Sequence, residues 1–221
     1  MRKDPLITGE YYNIYNRGVD KRDIFMNRRD MERFILSIKL FNTVKPIGSI
    51  QFKERSVDVE RLQLDDEKSL VSIVCYCFNP NHFHFLIKQE VEGGISEFFK
   101  RLLGGYTKYF NAIHNRSGSL FQGAFKSNLI NQDDYFSIIR PYVNMNYMVH
   151  TISKEKSHLV WASDKEYESG NFDLVSKEEA KIILDFHNGN ENFQRECLET
   201  ISVIRRGRGK PSLMEDDQLP L

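Results

Sequence analysis

The stretch from Leu70 to Lys88 constrains the fold of this chain more than any other. Leu70–Phe78 reads Leu-Val-Ser-Ile-Val-Cys-Tyr-Cys-Phe, a nearly continuous apolar run of the kind found in strands covered on both faces. Asn79-Pro80-Asn81 is turn chemistry. His82–Lys88 then resumes an extended pattern, so the two segments predict an antiparallel hairpin. Side chains two apart on a strand share a face. His82 and His84 are therefore expected on one side, with Phe83, Phe85 and Ile87 on the other.

The rest of the chain supplies the partners. Residues 10–17 alternate and are rich in aromatics, which predicts a strand ended by Gly18. Met31, Phe34, Ile35, Ile38 and Phe41 recur at helical spacing after Asn27. Residues 43–68 break up around Pro46 and Gly48 into a charged connector with room for one short strand. Ile95, Phe98, Phe99, Leu102, Tyr106 and Phe110 predict a helix over 93–114, and Ser119–Ile130 reads as a strand or extended segment. Asn131 is placed as an N-cap, with Asp134 in capping-box position, for a helix running to about Met148. A loop around Trp161 and helices near 176–187 and 190–204 follow, and the Arg-Gly-rich, then acidic, tail is expected to be disordered. The domain reading is 1–150 as one functional domain, 151–204 as a helical C-terminal extension and 205–221 as the tail.

Composition closes off several classes. Nothing approaches the roughly 20 consecutive apolar residues of a membrane span, and the first residues show no apolar core of a signal peptide. Three cysteines are too few and too odd in number for a disulfide framework, which fits a reducing cytoplasm. Cys75 and Cys77 sit on the apolar strand and are expected in the core rather than at a soft metal. With 31 basic and 31 acidic residues the net charge is zero, so bulk charge makes no case for a polyanionic partner. The distribution does. Between Phe98 and Gln132 there is no Asp or Glu, whereas Lys100, Arg101, Lys108, Arg116 and Lys126 all fall there. These five are candidate phosphate contacts.

Two imidazoles on one strand face make most of a divalent-metal site, although such pairs also arise from packing alone. Tyr142 and Asn146 are four apart on the expected helix and share its face. A phenol and a carboxamide aimed at the histidines would offer a nucleophile and an oxygen ligand together.

Together these pieces resemble a known family. Asn79-Pro80-Asn81-His82-Phe83-His84 is similar to the HUH motif of the REP-associated tyrosine transposases, single-tyrosine HUH enzymes related to the insertion-sequence 200/605 group. Tyr12-Asn-Ile-Tyr-Asn-Arg-Gly18 resembles the family's first strand. Gly118-Ser-Leu-Phe-Gln-Gly-Ala-Phe-Lys126 resembles its Leu-Trp/Phe-Gln segment, and Tyr142-Val-Asn-Met-Asn146 its nucleophile helix. Val160-Trp161-Ala-Ser163 is similar to the Trp-Ser-Ser stretch that follows the family's catalytic domain. Two residues depart from the pattern. Pro141 directly precedes Tyr142, and the family's Asn-Pro pair is here Asn146-Tyr147, which would let the helix run longer.

The resemblance implies an α+β, ferredoxin-like fold: an antiparallel sheet of four or five strands with packed helices and a small C-terminal helical extension. It implies His82, His84 and Asn146 as ligands of Mg²⁺ or Mn²⁺ and Tyr142 as the nucleophile of a 5′-phosphotyrosine intermediate. It implies nicking and strand transfer on single-stranded or hairpin DNA, by a monomer or homodimer with no membrane partner. Alternatives left open are an inactive nucleic-acid-binding derivative of the fold, an HUH relaxase or replication-type nickase, and a small metallohydrolase using the two histidines.

Overall fold

In the computed structural model the described residues are 5–46, 68–130, 133–150 and 152–208. Residues 47–67 of the charged connector, the Asn131 cap and the tail beyond Arg208 lie outside them. A five-stranded antiparallel sheet forms the centre, in the order β4-β1-β3-β2-β5. Its strands are β1 (Tyr11–Arg17), β2 (Val71–Asn79), β3 (His82–Gln89), β4 (Lys126–Ile130) and β5 (Trp161–Ala162). The α+β sheet expected from the sequence is thus the fold of the protein.

The expected hairpin is β2–β3, joined by Pro80-Asn81. Proline holds φ near −65°, and Asn81 is not among the residues of positive φ, so the turn is not of the primed type. It is pinned from outside instead. Pro80 O accepts from the Ile24 and Phe25 amides at 2.7 and 3.0 Å, and Asn81 O accepts from the Gly18 amide at 2.9 Å. Gly18 must be glycine: a Cβ there would lie 2.2 Å from the Arg22 carbonyl oxygen.

One sheet face is covered by α1 (Arg28–Phe41) and α2 (Gly94–Ile113). Phe83 and Phe85 meet Phe99 of α2 with centroids 6.0 and 5.6 Å apart, and Phe78 meets Phe34 of α1 edge-on at 5.3 Å. Each such ring, fully buried, contributes about 1.5–3 kcal/mol. The other face carries α3 (Asp133–Asn144), the short α4 (Asn146–Val149) and, outside them, α7 (Asn190–Arg208). The remaining helices are α5 (Asp164–Ser169) and α6 (Lys177–Phe186). Among the described residues no helix is long and apolar enough to cross a membrane.

Three features depart from the sequence reading. The helix expected to run to Met148 breaks at Met145 (φ −122°, ψ 32°), four residues after Pro141. Pro141 lacks the amide that would bond back to residue 137, but the bond after it is kept, the Met145 amide donating to Pro141 O at 3.0 Å. The segment beyond 150, expected as a loop around Trp161 and then helices, also adds the edge strand β5 to the sheet, at Trp161–Ala162. Finally, α7 continues to Arg208, past the expected end at 204, so the first four residues of the expected disordered tail are helical.

Candidate active site at the β1–β3 face

The functional side chains converge because sheet register and helix face point the same way. Antiparallel pairing places Tyr15 opposite His84 and Arg17 opposite His82, while Tyr15 also pairs with Lys126 on β4. Lys126, Tyr15 and His84 thus form one row across the sheet, on the face opposite Phe83 and Phe85. Tyr15 stacks on His84 with centroids 5.4 Å apart and planes 16° apart, and the Lys126 ammonium stands 5.7 Å from the Tyr15 ring centroid. From the helical side, Tyr142 meets His84 edge-on at 5.5 Å. Tyr15, Arg17, His82, His84, Lys126 and Tyr142 line one cleft.

The Gly118–Lys126 segment builds its rim. Leu120, Phe121 and Phe125 are buried as anchors, whereas Gln122 and Lys126 reach the cleft. The Gln122 amide donates to Arg17 O at 2.9 Å, tying the rim to the end of β1.

Asn146 is held from both sides of the helix break. Before it, Asn144 Oδ1 accepts from the Ser163 hydroxyl at 2.6 Å, and the same hydroxyl accepts from the Tyr76 amide at 2.9 Å. After it, the Tyr147 hydroxyl donates to Asp164 Oδ2 at 2.7 Å. Burial and that carboxylate push the Tyr147 phenol well above its ordinary value. Ser163 of the Trp-Ala-Ser stretch thus staples the Tyr142 helix to β2.

So held, Asn146 Oδ1 stands 3.1 Å from His82 Nε2. His82 Nδ1 lies 2.6 Å from Asn81 Oδ1, which can only accept, so Nδ1 carries the proton and in the neutral ring Nε2 presents a lone pair. Asn146 Nδ2 is buried without a hydrogen-bond partner among the described residues, leaving Oδ1 as the anchored end of the carboxamide. An imidazole nitrogen and a carboxamide oxygen in this arrangement fit a hard divalent ion. Neighbouring ligands of an octahedral ion with bonds near 2.1 Å are about 3.0 Å apart. Among the described residues no three His, Cys, Asp or Glu side chains are grouped so as to hold a metal.

The other candidates fall elsewhere. Lys100, Arg101 and Lys108 ride on α2, behind the sheet. Arg101 Nε bonds Glu97 at 2.8 Å and its Nη1 donates to Thr43 O at 2.6 Å, while Lys100 pairs with Glu97 at 3.2 Å. Arg116 folds back on Asn111 Oδ1 at 2.7 Å and on Ser119 O. Of the five basic candidates, only Lys126 is brought to the cleft. Tyr106 and Tyr109 are also behind the sheet: Tyr106 is fully buried and donates to Ile24 O at 2.6 Å, and Tyr109 donates to Asp30 at 3.2 Å. Cys75 and Cys77 are buried free thiols, and burial pushes both up.

Sequence reasoning passed over Tyr15 as a cleft residue, and over Gln122 and His150. The His150 ring lies 4.6 Å from that of His82. Its signal was available: 142, 146 and 150 continue one four-residue spacing. Tyr15 showed only in the alternation of β1, whose facing partner no local pattern reveals.

Fold and cleft together define a class: an antiparallel sheet that presents two strand-borne histidines to a helix-borne tyrosine and asparagine. The family model described as "Transposase IS200 like" matches residues 60–146, a stretch holding both histidines, the Gly118–Lys126 segment, Tyr142 and Asn146. Over those residues the chain is similar to IS200-like transposases, which agrees with the resemblance read from the motifs. Among solved structures, one titled "Structure of the REP associates tyrosine transposase bound to a REP hairpin" matches with a TM-score of 0.45 at 12% identity. That match covers 80% of this chain and 90% of the other. No curated protein matches the chain.

Proposed function

We propose that this chain is a metal-dependent transposase that nicks and rejoins single-stranded or hairpin DNA through Tyr142. One observation carries the reading: a phenol from α3 and two imidazoles from β3 share a single cleft, with the Asn146 oxygen 3.1 Å from one imidazole nitrogen. The IS200-like family sequence over 60–146 supports it.

His82 Nε2, Asn146 Oδ1 and the His84 imidazole would hold Mg²⁺ or Mn²⁺. When bound, such an ion neutralises charge on the phosphate oxygens and makes phosphorus more electrophilic. Tyr142 Oη attacks phosphorus, forming the new P–O bond as the P–O3′ bond breaks. The phenol loses a proton and the leaving O3′ gains one, so the step conserves protons. A 5′-phosphotyrosine and a free 3′-hydroxyl result. Attack by another 3′-hydroxyl reverses the chemistry and joins new ends without an external energy source. Lys126 and Arg17, at the rim and end of β1, meet the phosphates on either side. The reading places the protein in the cytoplasm, as a monomer or homodimer.

The test is a denaturing gel of end-labelled single-stranded DNA with Mn²⁺. A covalent protein–DNA band, lost in EDTA and in His82→Ala and His84→Ala, is the expected result. Cleavage without a covalent band would replace the reading with a hydrolase. A band shift on a native gel with no cleavage would replace it with a binding protein.

A further inference from the structure

Asn79 ends β2 and pairs across the hairpin turn with His82. It is fully buried, and neither the motif pattern nor the chemistry above gives it a task. Its side chain is nevertheless held at both ends. Nδ2 lies 2.9 Å from His82 Nε2 and 2.9 Å from Asn146 Oδ1. Its other end, Oδ1, accepts the Cys77 thiol at 3.8 Å, which turns the amide so that its two N–H groups face the site.

The two atoms it reaches are both acceptors. With the His82 proton on Nδ1, Nε2 offers one lone pair, and Asn146 Oδ1 offers two. Two acceptors 3.1 Å apart repel unless something positive lies beside both. The Asn79 amide is that group, giving one hydrogen to each.

We propose that Asn79 is a positioning residue that stands in for the cation: it holds His82 Nε2 and Asn146 Oδ1 at ligand spacing and yields Nε2 when the ion binds. The inference rests on the metal reading above. Nε2 has a single lone pair, so the amide and the ion compete for it. Oδ1 has a second lone pair, so the Asn79–Asn146 bond survives ion binding and keeps the carboxamide aimed. Ion entry therefore breaks one buried hydrogen bond and spares the other.

Removing the amide has opposite effects on folding and on metal affinity. Without the ion, Asn79→Ala or Asn79→Leu loses both bonds into the site and the Cys77 bond, and with the ion it loses one site bond and the Cys77 bond, a difference of one. The variant should be less stable in EDTA yet bind the cation more tightly, by about five-fold for one net hydrogen bond. A residue that merely props up the site would lose stability and affinity together.

The experiment is Mn²⁺ titration of the full chain by electron paramagnetic resonance, with thermal melting in EDTA and in Mn²⁺. Tighter Mn²⁺ binding in both variants, with a lower melting point in EDTA and a larger Mn²⁺-induced rise, is expected. Unchanged or weaker Mn²⁺ binding in the variants, beside normal binding by the unsubstituted protein, overturns the role of Asn79 alone. Failure of the unsubstituted protein to bind Mn²⁺ overturns the metal reading and this inference with it. If the variants do not fold, the imidazole ¹⁵N spectrum of the unsubstituted protein in EDTA decides. A proton on His82 Nδ1 with Nε2 bare supports the proposal, and a proton on Nε2 overturns it, because Asn79 could then not donate there.

Discussion

Replacing Tyr142 by Phe separates chemistry from architecture. The ring is 6% exposed and stands edge-on to His84 at 5.5 Å, 87° between planes, and a phenylalanine keeps that contact. What is lost is one hydroxyl beside a cleft. A hydrogen bond of that kind contributes about 0.5–1.5 kcal/mol net. For a chain of this size that is roughly 2–4 °C in melting temperature per kcal/mol. Removing a nucleophile, in contrast, costs on the order of 10⁶-fold in turnover, so the covalent adduct should vanish from the gel. The matched control is Tyr15→Phe, because Tyr15 lines the same cleft and stacks on His84 at 5.4 Å. The assay is Mn²⁺-dependent adduct formation on labelled single-stranded DNA, with binding measured by anisotropy. Tyr142→Phe should bind DNA as the unsubstituted protein does, melt within a few degrees of it and form no adduct. Tyr15→Phe should still form one. The reasoning is refuted if the adduct persists in Tyr142→Phe and disappears in Tyr15→Phe, which would move the nucleophile from the helix to the sheet.

Three further outcomes are expected. Lys126→Ala should weaken DNA binding and lower the slope of log affinity against log salt by about 0.7 for a single strand. Lys100→Ala with Lys108→Ala, behind the sheet, should leave the slope unchanged in the same titration. Burial, then the nearby Arg140, holds His187 below the ordinary imidazole value, so the folded protein disfavours the charged form. Its contribution is full above about pH 6.5, where both states are neutral, and is lost as pH falls through and below that value because the unfolded chain protonates first. Urea unfolding at pH 7.5 and 5.5 should show a smaller acid loss in His187→Gln than in the unsubstituted protein. Glu166 accepts from the Tyr76 hydroxyl and the Asp173 amide at 2.7 Å each and from the Val175 amide at 3.1 Å, joining β2 to the loop before α6. Glu166→Ala strands those buried donors and should cost on the order of 3 kcal/mol or more in chemical denaturation.

Period and turn chemistry made the local elements legible. The apolar run of 70–78, the Asn-Pro-Asn turn and the alternation of 82–88 specify a hairpin. Strand geometry alone then puts His82 and His84 on the face opposite Phe83 and Phe85, because that relation spans only two residues. The four-residue spacing of Tyr142 and Asn146 likewise survived the break at Met145 well enough to bring both to the histidines.

Register, sheet face and remote anchoring belonged to the tertiary structure. Tyr15 and Arg17 face the histidines because β1 pairs with β3 in one register, and nothing within β1 names that register. The basic residues of 100–126 look like one surface along the chain, but α2 carries Lys100, Arg101 and Lys108 behind the sheet and β4 brings Lys126 to the cleft. Charge spacing along a sequence carries no information about which side of a sheet a helix will cover. The two-residue strand β5 is too short to show any period, yet beside it Ser163 bonds both Tyr76 and Asn144 and so fixes the helix that aims Tyr142 and Asn146. Local sequence determines which residue types share a face of one element. Which faces meet is decided by pairing and packing between residues distant along the chain, and for this protein that is where the cleft is made.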